Sequence, residues 1–128
     1  MGVSLDAVAA IALALPETAE IERRDGRAWA VGGKVFAWER TFSKADIKRY
    51  GDETRPADPI LAVRVENLSE KEAVLAVGGH GFFTIPHFDG YAAVLIELRS
   101  ARKAEVREAL IDGWLAVAPS QLAAQFTR

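Results

Sequence analysis

Apolar positions along the chain change their period several times, and each change marks an element. Leu5, Val8, Ala9 and Ala12 recur at three- and four-residue steps, which is one face of a helix. Ser4 stands where its hydroxyl can accept from a first-turn amide. Asp6 complements the positive end of the helix dipole, and Pro16 stops the run. Next come three short runs, Ile21 to Arg24, Arg27 to Val31 and Lys34 to Arg40, separated by Asp25-Gly26 and Gly32-Gly33. Both dipeptides tolerate the positive φ angles of two-residue hairpin turns, so the runs predict an antiparallel meander. Strict alternation in the third run places Val35 and Ala37 on one face and Phe36 and Trp38 on the other. Both faces are apolar, which predicts a central or doubly covered strand.

Ser43 is placed to cap a short helix, Lys44 to Tyr50, closed by Gly51, and Asp52 to Pro59 reads as a surface loop. Ile60 to Glu66 alternates, with Leu61, Val63 and Val65 inward. Ser69 and Glu72 have capping-box spacing at the start of a helix that Gly78-Gly79 ends. Phe82 to Ile85 and Tyr91 to Leu98 predict a second hairpin around Pro86 and the turn His87-Phe88-Asp89-Gly90. Ser100 is expected to cap the last long helix, whose apolar face is Val106, Ala109, Leu110, Gly113, Trp114 and Val117. Pro119 breaks that helix, and Gln121 to Phe126 forms a short one. Strand hairpins interleaved with helices predict an α+β fold, a two-layer sandwich of an antiparallel sheet with helices packed on one side. No repeat or long linker divides the chain, so residues 1–128 are expected to form one domain.

Composition narrows the functional classes. Half of the residues are apolar, enough for a continuous core. The chain has no cysteine, which excludes disulfides and thiolate metal sites and fits a reducing compartment. The apolar run Ala7 to Leu15 has no Lys or Arg before it and falls short of the roughly 20 residues that span a bilayer. It reads as a buried helix, and a cytoplasmic protein with no membrane partner is expected. The formal charge of −2 lacks the overall basic excess of proteins that grip phosphate backbones, so any such contact needs a local basic face.

Lys34, Arg40, Lys44, Lys48 and Arg49 form the densest basic set. Lys44 and Lys48 share a helix face, and Trp38, Phe42 and Tyr50 lie nearby in sequence, so the set can offer phosphate contacts and stacking to nucleic acid. The plainer account is a solvated helix face neutralised by Asp46, Asp52 and Glu53. The only two histidines, His80 and His87, invite a metal reading with Asp89. Seven residues of extended chain would hold the two rings roughly 23 Å apart, so no metal site is assigned. The Asp89-Gly90 pair is already explained by turn chemistry, and no nucleophile sits at a recognisable spacing, so no catalytic residues are assigned. The segment after Pro119 offers too few polar side chains for a recognition helix. Gly78-Gly79-His80-Gly81 follows a helix and lacks the Gly-Lys-Ser/Thr ending of a phosphate loop.

Three stretches carry a family resemblance: Leu15-Pro16-Glu17-Thr18-Ala19-Glu20, Val31-Gly32-Gly33-Lys34-Val35-Phe36-Ala37, and Ile111-Asp112-Gly113-Trp114-Leu115-Ala116-Val117-Ala118-Pro119. In their order and over nearly the whole chain, they resemble the MmcQ/YjbR family. The resemblance implies a CyaY/frataxin-like fold of the double-wing type, and it implies DNA binding, the label that members commonly carry. Where the related pattern has a basic residue after the late Trp and a Lys-Arg pair after the late Pro, this chain has Leu115, Ser120 and Gln121.

The leading expectation is therefore a non-enzymatic, cofactor-free binding domain with DNA as the partner implied by resemblance. Lys34, Arg40, Lys44, Lys48 and Arg49 are its contact residues. The alternative is a small-molecule-binding domain with Trp38, His87 and Tyr91 at the pocket wall. An enzyme with an unrecognised site ranks third.

Overall fold

Period-two runs broken by turn residues become six antiparallel strands: Thr18–Arg23 (β1), Gly26–Val31 (β2), Lys34–Glu39 (β3), Ile60–Arg64 (β4), Phe82–Phe83 (β5) and Ala93–Glu97 (β6). They form one open sheet in the order β1-β2-β3-β4-β6-β5. The structure is a computed structural model that describes residues 2–127. Its helices are Leu5–Leu13 (α1), Lys44–Tyr50 (α2), Leu68–Val77 (α3), Lys103–Val117 (α4) and Ser120–Gln125 (α5), with a 3-10 turn at Pro86–Phe88. The fold is α+β, as expected. No helix among the described residues is long and apolar enough to cross a membrane.

The sheet divides the core in two. On one face Trp29, Leu61, Val63 and Ile96 pack against Val8 and Ala12 of α1 and Val106, Leu110 and Trp114 of α4. On the other face Ile60, Ala62 and Leu95 meet Ile85 and Phe88, with Trp38, Phe42, Tyr50 and Phe83 around them.

The meander forms with two-residue turns. Val31 pairs with Lys34, and Gly32 and Gly33 both have positive φ, 59° and 78°, as a primed hairpin turn requires. The first turn sits one residue earlier than expected. Arg23 pairs with Gly26, so Arg24-Asp25 are its two loop residues.

Strict alternation fails in β3. Trp29 pairs with Ala37 while Ala30 pairs with Val35, so Phe36 is an extra residue, a β-bulge. The bulge turns both Phe36 and Ala37 into the α1/α4 core and leaves Trp38 on the opposite face. Phe36 and Trp38 therefore do not share a side.

Four helix starts show which cap residues act. Ser4 Oγ accepts from the Ala7 amide at 3.0 Å, and Ser43 forms a capping box with Asp46. In α3 the cap is Asn67, whose Oδ1 accepts from the Glu70 amide at 2.8 Å; Ser69 lies inside the first turn. Asn caps as well as Ser, and it comes two residues sooner. Ser100 does not cap α4 either. Its hydroxyl donates to the Glu97 carboxylate, and α4 starts at Lys103 with no side-chain cap. The second hairpin is also shorter than expected, because Ile85 leads into the 3-10 turn and Tyr91 precedes β6.

Helix α4 passes close against the sheet at Gly113. A Cβ there would stand 2.7 Å from Val63 Cγ1 and 3.1 Å from the Arg64 carbonyl oxygen. One residue on, the buried Trp114 donates its indole N–H to the Pro16 carbonyl at 3.0 Å, joining the last long helix to the end of the first.

Two measurements test these supports. On an open helix Gly→Ala would stabilise by about 1 kcal/mol. At Gly113, where backbone atoms crowd the added Cβ, an overpacking cost of about 2–3 kcal/mol outweighs it by about 1–2 kcal/mol, so Gly113→Ala is expected to lower the melting temperature by roughly 3–8 °C. An unchanged or higher melting temperature would show that α4 has room at the crossing.

The second concerns Asp46, which is 2 % exposed and paired with Arg40 at 2.9 Å. Burial pushes its carboxyl up, but the Ser43 amide and hydroxyl and the Arg40 guanidinium outweigh that and hold it below the usual carboxylate range. A depressed carboxyl contributes stability that is complete above its unfolded pKa, about 3.9, and is lost as pH falls through the lower folded value. Asp46→Asn should therefore cost about 1–2 kcal/mol at pH 7, and the gap to wild type should close below about pH 4 in urea melts. A gap that persists unchanged at pH 2.5 would remove the charge from the explanation.

Candidate ligand-binding cleft

The end of β3 opens into a cleft of about 420 Å³. Its walls are the β1–β2 turn, with Arg23, Asp25, Gly26 and Arg27; the end of β3 with Trp38 and Glu39; the run Arg40 to Ser43 that leads into α2; and His87 from the 3-10 turn. The bulge at Phe36 sets this geometry, since it sends Trp38 to the face that carries the 3-10 turn.

Trp38 is half-buried, with its ring centroid 6.4 Å from that of Phe88 and 6.2 Å from that of Tyr91. Phe88 and Tyr91 are themselves 5.5 Å apart. The Arg40 guanidinium lies 5.6 Å from the Phe88 ring centre, and Arg64 lies 5.7 Å from that of Tyr91. An aromatic cluster with a guanidinium against two of its rings is thus built beside the cleft.

The cleft cations differ in what engages them. Arg27 binds Glu20 at 2.8 Å and Asp6 at 2.9 Å, and these bonds raise its pKa above the ordinary arginine value. Its hydrogen bond correspondingly holds the Glu20 carboxyl below the usual range. Arg40 is bound to Asp46 and to the Thr41 carbonyl. Arg23 has no side-chain partner among the described residues, so it is the cleft cation most open to an anion. Glu39 accepts from the Arg27 amide at 3.2 Å and folds over Gly26, where an added Cβ would collide with its Oε1.

The segment that presents His87 is fixed by a buried lysine. Lys71 of α3 is 7 % exposed, and its Nζ donates to the Phe88 carbonyl at 2.6 Å and the Tyr91 carbonyl at 2.9 Å. Burial pushes its ammonium pKa down. Nothing in the spacing of Lys71 separates it from the exposed lysines of α2, so the sequence gives no signal for this role. Arg23 and Arg27 were also missed as cleft residues, although they flank the very turn that the sequence predicts.

The residues singled out from sequence are only partly brought together. Trp38 and His87 line the cleft, as does Arg40. Tyr91 lies outside the lining, in the aromatic cluster. Lys44, Lys48 and Arg49 are exposed on α2, the helix whose cap residue Ser43 lines the cleft. Lys34 lies at the opposite end of β3 from Arg40, roughly 20 Å away along an extended strand. The five basic residues therefore do not form one patch.

The two histidines also stay apart. His80 is bound to Glu105 through its amide and its Nδ1, both at 3.1 Å. No cluster of three or more metal-ligating side chains occurs among the described residues. Ser43 and His87 share the cleft, but the Ser43 hydroxyl accepts from the Asp46 amide at 3.1 Å.

No protein-family model matches the chain, and no solved structure matches it. Close relatives are found in mycobacteria: the uncharacterized proteins Rv2570 and MT2646 of Mycobacterium tuberculosis and Mb2600 of Mycobacterium bovis. Each is 41 % identical over 124 residues, covering 94 % of this chain and 93 % of its own length. With that identity over nearly the full length of both partners, the chain belongs to the same family as these mycobacterial proteins.

Proposed function

We propose that this chain is a non-enzymatic binding domain whose ligand is a small planar anion, held in the cleft beside Trp38. The observation that carries this reading is the cleft itself, which joins a half-buried indole to Arg23. Its volume of about 420 Å³ lies within the ordinary range for small-molecule sites. The indole offers a face to a flat ligand, and the Arg23 guanidinium can pair with a carboxylate, sulfonate or phosphate. Arg40 and Arg27 also line the cleft, each already paired with its own carboxylates, which leaves Arg23 as the cation for the anion.

A second reading, binding of DNA, is favoured by one specific observation and by the MmcQ/YjbR resemblance. Lys44, Lys48 and Arg49 are exposed, lack partners among the described residues, and stand on the helix that borders the cleft. A single strand could place a base against Trp38 and its phosphates along α2. The separation of Lys34 and the pairing of Arg40 with Asp46 weigh against a broad phosphate-contacting surface.

Tryptophan fluorescence separates the two. Trp29 and Trp114 are 0 % exposed, so a ligand in the cleft should act on the emission of Trp38. AMP and 1-naphthoate are expected to change that emission, and the neutral adenosine and naphthylmethanol to bind at least tenfold more weakly. Arg23→Gln should weaken both anions about tenfold, while the Lys44→Glu/Lys48→Glu variant should change their affinity less than twofold. A silent titration with every anion would defeat the proposal. Salt-sensitive binding of a labelled oligonucleotide, with a slope reduced by Lys44→Glu/Lys48→Glu, would instead support the DNA reading.

A further inference from the structure

Helix α3 stands away from the core that its neighbours build. Of its ten residues only Lys71 is buried, whereas Leu68 is 50 % exposed and Val77 86 % exposed. Between α3, α4 and the sheet lies an apolar cavity of about 360 Å³, floored by Val63, Val94 and Phe82 and walled by Val74 and Ala109. A second hollow of about 280 Å³ shares Val65, Val74 and Asp112 with it, so the two hollows adjoin in the groove between α3 and α4. Ten helical residues at 1.5 Å each give α3 a length of about 15 Å to border it.

The ionisable residues lining this groove all carry one sign. Glu66 and Glu70 line one end, Glu105 and Glu108 the other, and Asp112 the junction; no Lys, Arg or His lines either hollow. Glu105 is bonded to His80, and Glu108 and Asp112 have partners of their own, whereas Glu66 and Glu70 lie at the end near the start of α3. An apolar body with a positive head matches both the walls and the rim.

We infer that the groove between α3 and α4 binds a hydrophobic amine, a ligand with an alkyl or similar apolar body and a single ammonium group. The body lies over Val63, Val94 and Phe82, and the ammonium sits at the Glu66 and Glu70 end. The same rim repels a fatty carboxylate of equal length. Burial of each further methylene should tighten binding about fourfold until the groove is full. The site is separate from the Trp38 cleft, with which it shares no lining residue.

The test compares octylammonium, octanol and octanoate by isothermal titration below their micelle concentrations, with hexyl- and decylammonium as length controls. Octylammonium is expected to bind at least tenfold more tightly than octanoate, with octanol between them. Val74→Trp fills the groove and should abolish amine binding. The exposed pair Glu66→Gln/Glu70→Gln should leave the fold unchanged and reduce the preference for amine over octanol at least threefold; it decides the matter should Val74→Trp fail to fold. Equal binding of octanoate and octylammonium, or no dependence on chain length, would overturn the assignment. A basic amphipathic peptide that displaces octylammonium and binds far more tightly than any alkylamine would overturn it as well, in favour of a protein partner.

Discussion

The close approach of α4 to the sheet at Gly113 is the constraint on which the architecture depends. With no side chain there, the helix backbone settles against Val63, the Arg64 carbonyl and the Phe36 carbonyl. That depth buries Val106, Leu110 and Trp114 completely and lets the Trp114 indole reach Pro16, 98 residues earlier in the chain. It also explains the sparse packing of α3. With α4 occupying the centre of that face, α3 is confined to the β4–β6 side, where it leaves a groove rather than a second packed layer.

The opposite face follows a different logic. One extra residue, Phe36, reverses the alternation of β3 and delivers Trp38 to the side where Phe88 and Tyr91 stand. Two buried polar groups then fix what surrounds Trp38. Asp46 holds both the start of α2 and the Arg40 guanidinium, and Lys71 ties the 86–91 segment to α3 through two carbonyls. A buried polar group is tolerated only when its partners are supplied, so each such contact also dictates where a neighbouring segment must lie. Lys71 belongs to the helix that borders the apolar groove, and its carbonyl partners belong to the segment that carries His87. It thus ties the helix beside the apolar groove to the segment that presents His87 to the cleft.

Much of the fold was legible because it rests on local chemistry. Gly32-Gly33 announced a primed turn, Ser4 and Ser43 announced helix starts, and the spacing from Val106 to Trp114 announced the buried face of α4. The misses have long-range causes. The bulge at Phe36 is a matter of register between two strands, which alternation within one strand does not encode. Ser100 was drawn off its cap position by Glu97, and Asn67 outcompeted Ser69 simply by coming first. At the site, Trp38 and His87 were named from sequence because each is rare and chemically distinctive. Arg23 and Arg27 were not, because an arginine beside a turn is ordinary until the fold sets a tryptophan opposite it. The basic set was misjudged as a group, since Lys34 and Arg40 are close in sequence but occupy opposite ends of an extended strand.

The central functional claim is that a planar anion enters the cleft beside Trp38 and touches no other tryptophan directly. Indole N–H resonances in a ¹⁵N-labelled sample report each tryptophan separately. Titration with AMP should move the Trp38 signal most and leave the Trp114 signal in place, because Trp114 belongs to α4 and is buried on the far side of the sheet. A spectrum in which the Trp38 signal stays fixed, or in which Trp114 shifts as far as Trp38, would contradict the assignment of the cleft.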